Sequence, residues 1–376
     1  MKPEIQTIPI ASLASGDRLF LKLYTFVGQS PGKTAYLQAN LHGAEIAGNA
    51  VIDELIRYFR RLPPEQLSGE VRLVPVCNPI AMNERSHHFS SGRFNPYDGK
   101  DWNRIFWDYE KYGQDDLIEF AQINLTQEIE IVQQHYRQSI MNAFVRAKAS
   151  MATPSSAPFH EKYRSCLQSL SLDADYIIDL HSSTNDGLNY IYYFQDRANS
   201  AKQFLMPIGI ELDVFDGDAF DEAFIRPWLK LEEQFASLGR HAQFDIEAFT
   251  LELGSGMQMN PDSIKQGVAG IQNYLRHKQM LHIPDSSADC PQPSAIYLTT
   301  NSRVERYYAP SGGLVTSRAS LGQKVEEGDP LYHLLCFSKE DDYPITTTVQ
   351  AKQSGLVFDL SLNNSLNEGD YVLSIL

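Results

Sequence analysis

Short apolar segments alternate with helical segments through most of this chain, and this alternation limits the fold more than any other sequence feature. Ala35–Leu41, Val71–Val76, Tyr176–Leu180 and Ala248–Leu253 have the apolar composition of buried strands. Between the first two lies Ile46–Arg61, whose apolar residues recur with the period of a helix. Strands that alternate with helices form α/β domains with parallel sheets. We therefore predict an α/β fold with a mostly parallel, mixed sheet flanked by helices.

The composition changes near the end of this alternating region. Residues 283–294 are rich in Pro, Ser and Asp and show no periodicity, which is typical of a linker. We therefore predict two domains, a large one over residues 1–290 and a small one over residues 291–376.

The small domain contains an internal repeat. Ser311–Val315 leads to the turn Gly328-Asp329, and Ser354–Val357 leads to Gly369-Asp370 in the same way. Two copies of a strand, a loop and a turn indicate a small β-domain of hammerhead or barrel type, and this part resembles the biotinyl/lipoyl-type hammerhead. Lys339 lacks the flanking residues of a biotin or lipoate attachment site, so we expect this domain to act as a lid, a docking face or a homo-oligomer contact.

Composition excludes several classes of partner. The formal charge of −15 argues against nucleic acid and against anionic membrane surfaces, both of which attract clustered Lys and Arg. No segment approaches the ~18 apolar residues that a membrane-spanning helix requires. The N-terminus has no signal-peptide pattern, and the four cysteines are scattered without a Cys-x-x-Cys pair. We expect a cytoplasmic protein with reduced thiols that acts on small molecules.

Two strand ends carry residues suited to a metal. The strand before His42 ends in His-Gly-Ala-Glu, which places His42 and Glu45 where a helix should begin. His181 ends the strand Tyr176–Leu180. Sites in α/β sheets gather at the carboxyl ends of strands, and imidazole and carboxylate are the ligands of catalytic zinc sites that keep one position open for water. We predict zinc bound by His42, Glu45 and His181.

Hydrolysis at a metal also needs a general base and positively charged groups. Glu252 lies near the end of an apolar strand, where burial would raise its pKa toward the range of a base; alternatively, it is a structural carboxylate paired with a buried arginine. The polar loop 86–104 carries Arg93 and Arg104, which could bind a carboxylate or an oxyanion. Either arginine could instead anchor the loop through an ion pair.

The order of these motifs resembles that of the zinc carboxypeptidase superfamily. The chain contains, in order, His-Gly-x-Glu, Asn-Pro, Arg-x-Asn-x-x-Gly-x-Asp-x-Asn-Arg, a strand-terminal His-Ser and Thr-x-Glu-Leu-Gly. Within the superfamily it is most similar to the succinylglutamate desuccinylase/aspartoacylase branch. The resemblance implies an α/β catalytic domain followed by a small C-terminal β-domain.

The resemblance also implies a role for each site residue. His42, Glu45 and His181 would bind zinc, and Glu252 would be the general base that then protonates the leaving amine. Asp101 would accept the other N–H of the His42 ring, as carboxylates usually do beside zinc-bound imidazoles.

The polar loop would supply the remaining groups. Arg93 would polarise the scissile carbonyl, and Asn103 with Arg104 would bind a substrate carboxylate. Arg85 is a second candidate for the role of Arg93 because the loop has an irregular length. Trp102 replaces the usual aliphatic residue before Asn103, and the tyrosine that covers the peptidase pocket has no counterpart here.

We therefore expect a zinc-dependent hydrolase that cleaves an amide bond beside a carboxylate, in an N-acyl amino acid or a short peptide. One alternative is a metallocarboxypeptidase that acts on peptide C-termini, which a roomy aromatic pocket lined from Tyr190–Phe194 and Phe215–Trp228 would favour. Another is a catalytically inactive binding protein with a structural zinc. The presence of Glu252 favours catalysis, because an inactive site could lose its base.

Overall fold

The computed structural model of the 376-residue chain describes residues 1–113, 116–149, 151, 157–283, 296–340 and 342–376. The predicted linker 283–294 lies almost entirely outside the described residues. The α-helices of the described ranges are α1 Ala47–Arg61, α2 Pro79–Asn83, α3 Tyr109–Tyr112, α4 Leu117–Ile123, α5 Ile129–Ala149, α6 Phe159–Gln168, α7 Ala198–Ala201, α8 Phe220–Ser237 and α9 Pro261–His277. None of these helices is both long enough and apolar enough to cross a membrane.

The strands fall into two groups along the chain. Those of the first group are β1 Glu4–Ser12, β2 Arg18–Val27, β3 Ser30–Ala39, β4 Ser68–Val74, β5 Tyr176–Ser183, β6 Asp186–Gly187, β7 Asn189–Tyr193, β8 Ile208–Glu211, β9 Glu247–Ser255 and β10 Tyr297–Thr300. Those of the second are β11 Glu305–Tyr308, β12 Gly313–Arg318, β13 Lys324–Val325, β14 Pro330–Cys336, β15 Ile345–Gln350, β16 Gly355–Leu360, β17 Ser365–Leu366 and β18 Tyr371–Ile375.

A nine-stranded mixed sheet forms the centre of the larger part, in the order β1-β2-β4-β3-β5-β9-β7-β8-β10. The pairs β3–β4, β3–β5, β5–β9, β7–β8 and β8–β10 are parallel, whereas β1–β2, β2–β4 and β7–β9 are antiparallel. The predicted α/β class with a mostly parallel sheet is confirmed.

The two faces of this sheet differ in chemistry. Successive strand residues point to opposite faces, and Leu37 and Ile178 pack with α1 and α9 in one apolar core. The other face is covered by α8 together with α5 and α6, the two helices just before β5. On that face β5 and β9 carry polar residues: Asp179 is paired with Thr250, which donates to Asp221 of α8 at 2.7 Å. A polar stripe thus runs under α8 toward the carboxyl ends of the central strands.

Three strands of the large sheet, β1, β8 and β10, were not predicted. β1 occupies the N-terminal segment, where its mostly exposed side chains hide the strand pattern. β10 lies beyond the predicted boundary at residue 290, yet it pairs in parallel with β8. The boundary itself falls among residues that the structure does not describe, so the division into two domains stays a prediction.

The C-terminal part consists of antiparallel pairs in two sheets. One has the order β11-β18-β16-β13 with β6 attached to β16, and the other has the order β15-β14-β12-β17. The predicted repeat is visible in the pairing, because β12 pairs with β17 and β16 pairs with β13. The long strand of each copy of the repeat therefore pairs with the short strand of the other copy. The hammerhead assignment stays a prediction.

The two parts meet just after the strand that carries His181. Asp186 and Gly187 of β6 pair with Leu360 and Asp359 of β16, and the N–H of Leu188 donates to the backbone oxygen of Phe358 at 3.0 Å. The C-terminal sheet is therefore fixed beside the end of β5.

Candidate metal centre

A tight turn after β3 presents His42 and Glu45. Asn40 has a left-handed backbone (φ 69°), and its Nδ2 donates to the carbonyls of His42 and Gly43 at 3.0 and 3.3 Å. Position 43 requires glycine, because a Cβ there would lie 1.9 Å from the carbonyl oxygen of Ala81. The close approach brings His42 and Glu45 together at the start of α1.

The three predicted ligands come together in the structure. Glu45 Oε1 lies 2.8 Å from Nδ1 of His42, and its Oε2 lies 2.7 Å from Nδ1 of His181. All three residues are buried, and their ligand atoms lie within 4.8 Å of one another. Within the described part of the chain, no other group of His, Cys, Asp and Glu has this geometry. Cys77, Cys166 and Cys336 are free thiols outside this group, and Cys290 is outside the described residues.

Both imidazoles face a carboxylate with their second nitrogen. Nε2 of His42 lies 3.0 Å from Oδ1 of Asp101, the predicted partner. Nε2 of His181 lies 3.1 Å from Oδ2 of Asp179, which was not predicted. The sequence contained the information needed to predict it, because residues two apart on a strand lie on the same face of the sheet, as Asp179 and His181 do. Gln38 Nε2 donates to the other oxygen of Asp179 at 3.1 Å, so this carboxylate is itself fixed.

The charges of this group favour a cation. Burial raises the pKa of the Glu45 carboxyl, but His42 and His181 outweigh burial and bring the pKa below its usual range. Burial lowers the pKa of both imidazoles, whereas Glu45 raises it, together with Asp101 at His42 and Asp179 at His181. A metal that binds here must displace the histidine protons, and it would find an ionised carboxylate between two ring nitrogens.

Glu252 faces the same space from the neighbouring strand. It is paired with His181 across β5 and β9 and lines the same cavity. Its Oε2 is buried and has no hydrogen-bond partner among the described residues. Burial, with a smaller contribution from the Glu45 charge, raises the pKa of Glu252 to about 8. The alternative of a carboxylate paired with a buried arginine finds no support, since no arginine contacts Glu252 in the described ranges.

Arg93 is held at the edge of the cavity. Its Nε lies 3.0 Å from Oδ2 of Asp101, and its Nη1 donates to Thr184 Oγ1 at 3.3 Å. One carboxylate, Asp101, therefore orients both His42 and Arg93. Arg85 is exposed, donates to the backbone of its own loop and does not line the cavity.

Asn103 and Arg104 lie on the wall near the start of α8. Asn103 Oδ1 accepts from the N–H of Phe220 at 2.9 Å, which caps the helix, and its Nδ2 has no partner among the described residues. Arg104 is exposed and donates to the backbone oxygen of Asn103 at 2.6 Å. Glu222 is nearby: burial and Asp221 raise its pKa to about 7, and Arg104 opposes them.

The cavity has a volume of about 1060 Å³, and both parts of the chain line it. The larger part contributes the residues above together with Tyr190, Tyr192 and Phe215. The C-terminal part contributes a wall that includes Arg306 and Asp359. The residues of this wall were not predicted, because no motif in the repeat marks them.

Comparison with known proteins identifies the family. A profile of the succinylglutamate desuccinylase/aspartoacylase catalytic domain matches residues 31–278. The chain belongs to this family. The predicted resemblance is thus confirmed, and the match spans all the predicted site residues. No curated protein matches the chain.

Solved structures of related proteins extend this result to nearly the whole chain. A protein from Shewanella amazonensis assigned to the succinylglutamate desuccinylase/aspartoacylase family is 27% identical, with a TM-score of 0.86 over 99% of this chain and 98% of that chain. A second, from Shewanella frigidimarina, is 25% identical, with a TM-score of 0.86 over 100% of this chain and 97% of that chain. An ectoine utilization protein from Ruegeria pomeroyi, solved with its product, shares the fold at 20% identity, with a TM-score of 0.67 over 100% and 95% of the two chains.

Proposed function

We propose that this protein is a zinc-dependent hydrolase that cleaves an amide bond beside a carboxylate, in an N-acyl amino acid or a short peptide. The observation that carries the proposal is the buried group His42–Glu45–His181 with Glu252 on the adjacent strand. Membership of a family named for desuccinylases and aspartoacylases supports the same reaction class.

The side chains present fit zinc. Two imidazole nitrogens and one carboxylate form a donor set that zinc uses in catalytic sites, and each ring has a carboxylate at its far nitrogen, Asp101 or Asp179. When bound, zinc would act as a Lewis acid that activates water and polarises a carbonyl. Oε2 of Glu252, which has no partner among the residues that the structure describes, would then accept a hydrogen bond from the attacking water.

The surrounding residues each have a separate role in the reaction. Glu252 takes a proton from the attacking water and returns it to the leaving amine. Arg93, fixed by Asp101 and Thr184, donates to the carbonyl oxygen as negative charge develops on it. Nδ2 of Asn103, which has no partner among the described residues, and the exposed guanidinium of Arg104 bind the substrate carboxylate.

A metallocarboxypeptidase remains the second candidate. A cavity of about 1060 Å³ with aromatic side chains has room for a peptide as well as for an N-acyl amino acid. Both candidate functions would use the same chemistry at Glu252. They differ in the substrate bond that is cleaved there.

Metal analysis followed by a substrate panel tests the proposal. Purified protein should contain about one zinc per chain, and His181→Ala should lose it. The panel compares N-acetyl and N-succinyl amino acids with short peptides, each as the free acid and as the amide. We expect hydrolysis of the free acids, and preference for N-acyl amino acids over peptides would separate the two candidates.

Glu252→Gln is the matched control for this panel, because the amide is nearly isosteric. It should keep the zinc and lose about 10²- to 10⁴-fold in kcat. Absence of zinc, absence of hydrolysis across the panel, or near-normal turnover by Glu252→Gln would each contradict the proposed mechanism.

A further inference from the structure

One sheet of the C-terminal part ends in a strand whose outer edge is open. β15 is the outermost strand of the sheet β15-β14-β12-β17, and among the described residues it pairs only with β14. All of its residues are exposed except Val349, which is half-buried. The register with β14 is regular over residues 345–349, and the single shift lies beyond them, toward Gln350. The outer edge therefore presents backbone N–H and C=O groups to any strand that fits it.

This edge lacks the features that usually prevent pairing. Charged side chains, proline, bulges and short length protect most exposed edges. β1, at the edge of the large sheet, has Glu4 and a register shift beside Pro9. β13 and β17, which each end one of the C-terminal sheets, have only two residues. By contrast, residues 343–351 contain no charged side chain although 21% of the chain is charged, and their one proline, Pro344, precedes the strand.

The sequence of the edge is symmetric about Thr347. In either direction it reads as a β-branched apolar residue, three threonines and a second β-branched apolar residue. Two antiparallel copies centred on Thr347 would place Ile345 opposite Val349 and Thr346 opposite Thr348. Opposed threonines form cross-strand hydrogen bonds, and opposed Ile and Val bury apolar surface. The edge of β15 is thus complementary to a second copy of itself.

The charges beside the strand also fit a second copy. Continued beyond the strand, the same register brings Asp342 of one copy opposite Lys352 of the other, at both ends of the contact. Both side chains are exposed, and Lys352 also forms an ion pair with Glu305 of its own chain. A chain with a formal charge of −15 repels its own copies over most of its surface. At this edge two copies can meet without like charges opposite each other.

We propose that β15 is a homodimer interface, in which the strand pairs antiparallel with β15 of a second copy about a two-fold axis at Thr347. The two four-stranded sheets would then form one sheet that is continuous across both copies. An interface in which the same patch meets itself is closed, so assembly stops at the dimer. The inference is independent of the proposed hydrolase function, because none of the residues of β15 lines the cavity.

Sedimentation velocity of the purified full-length protein tests the dimer. One pair of strand edges buries less than a standard-size interface, so we expect a dissociation constant in the micromolar range. The sedimenting mass should rise from 42.5 kDa toward twice that value as the protein concentration passes through this range. A mass that stays at that of one chain up to about 1 mM protein would overturn the proposal.

Substitutions at Thr347 test the position of the two-fold axis. This residue lies opposite itself in the proposed dimer, so Thr347→Lys would oppose two lysines and Thr347→Asp two aspartates. Each variant alone should weaken dimerisation by about fivefold or more, because like charges directly opposite each other destabilise a sheet. An equimolar mixture of the two variants should form dimers again, since a lysine then lies opposite an aspartate.

Thr316→Lys is the matched control. Thr316 is an exposed threonine of β12, which lies between β14 and β17 rather than at the edge of the sheet. This variant should dimerise like the wild type, and far-UV circular dichroism should show all three variants to be folded. Either of two results would place the contact elsewhere and contradict the proposal: dimers that persist unchanged in Thr347→Lys and Thr347→Asp, or a mixture that dimerises no better than each variant alone.

Discussion

Glu252 shows how the candidate site differs from the rest of the protein. Both oxygens of Glu247, on the same strand, accept a hydrogen bond, one from Ser200 and one from Tyr274, but Oε2 of Glu252 has no partner among the described residues. A buried polar atom without a hydrogen bond costs stability. That cost is expected where the group must accept a proton during a reaction.

Because burial of Glu252 disfavours its ionised form, the free energy of unfolding should depend on pH. The pKa of Glu252 is about 8 in the fold and about 4.3 in an unfolded chain. Between these values the folded state keeps a proton that the unfolded state has lost, so stability from this group is fully present below about pH 4 and declines as the pH rises toward 8.

Glu252→Gln should therefore stabilise the chelator-treated protein at pH 8.5, by on the order of a few kcal/mol. The gain should shrink toward pH 5, where the carboxyl is protonated in the fold. Thermal unfolding of both proteins across this range measures the difference. A constant difference at every pH would mean that the folded-state pKa of Glu252 is not raised.

Asp179 gives a second prediction at this scale. The side chain lies 3.1 Å from the outer nitrogen of His181 and is held by Gln38. Asp179→Asn should weaken zinc binding by about 10- to 100-fold, because the ligand ring loses the carboxylate that orients it. Asp53→Asn, at an exposed residue of α1, is the control. Unchanged zinc affinity, measured by competition with a chelator, would reduce Asp179 to a packing role.

At the scale of elements, local sequence patterns predicted most of the strands and the helix that position His42, Glu45 and His181. The strands before His42 and His181 are apolar runs, and the helix after Glu45 has a clear period, so the positions of all three residues followed from the sequence. β1 escaped prediction because its exposed side chains follow no strand pattern. The C-terminal wall could not be predicted, because it depends on the pairing of β6 with β16, which are far apart in sequence.

The turn between β3 and α1 allows an element-scale test. A Cβ on residue 43 would meet the backbone of Ala81 at 1.9 Å and that of Gly92 at 3.0 Å. Gly43→Ala must therefore move α2 or the segment that leads to Arg93, at a cost of about 1–3 kcal/mol or more. We expect a lower melting temperature and weaker zinc binding.

Gly312→Ala is the control for this substitution, because a Cβ there meets nothing closer than Leu366 O at 3.7 Å. It should leave both the melting temperature and the zinc affinity unchanged. If Gly43→Ala behaved in the same way, the turn would be less constrained than its contacts indicate.

At the scale of the whole molecule, the two parts share a small apolar core. Its members come from both: Tyr190, Ile208, Ile210, Val304, Phe358 and Leu376. The rings of Phe358 and Tyr190 are 5.4 Å apart, and Tyr190 is paired with Glu252 across β7 and β9. The C-terminal part therefore contacts the site residues through packing as well as through the hydrogen bonds of Asp359.

This shared core predicts that the two parts unfold together. Phe358 is 3% exposed, so Phe358→Ala should cost about 3–5 kcal/mol. Calorimetry should show one transition in the wild type and one transition at lower temperature in the variant, because loss of the shared core weakens both parts. KM should also rise, since Phe358 lines the cavity.

Phe337→Ala is the control, because this residue is 60% exposed. It should change the free energy of unfolding by less than about 0.5 kcal/mol. The wild type could instead show two separate transitions, of which Phe358→Ala moves only one. The C-terminal part would then fold independently, and its docking, rather than a common core, would complete the cavity.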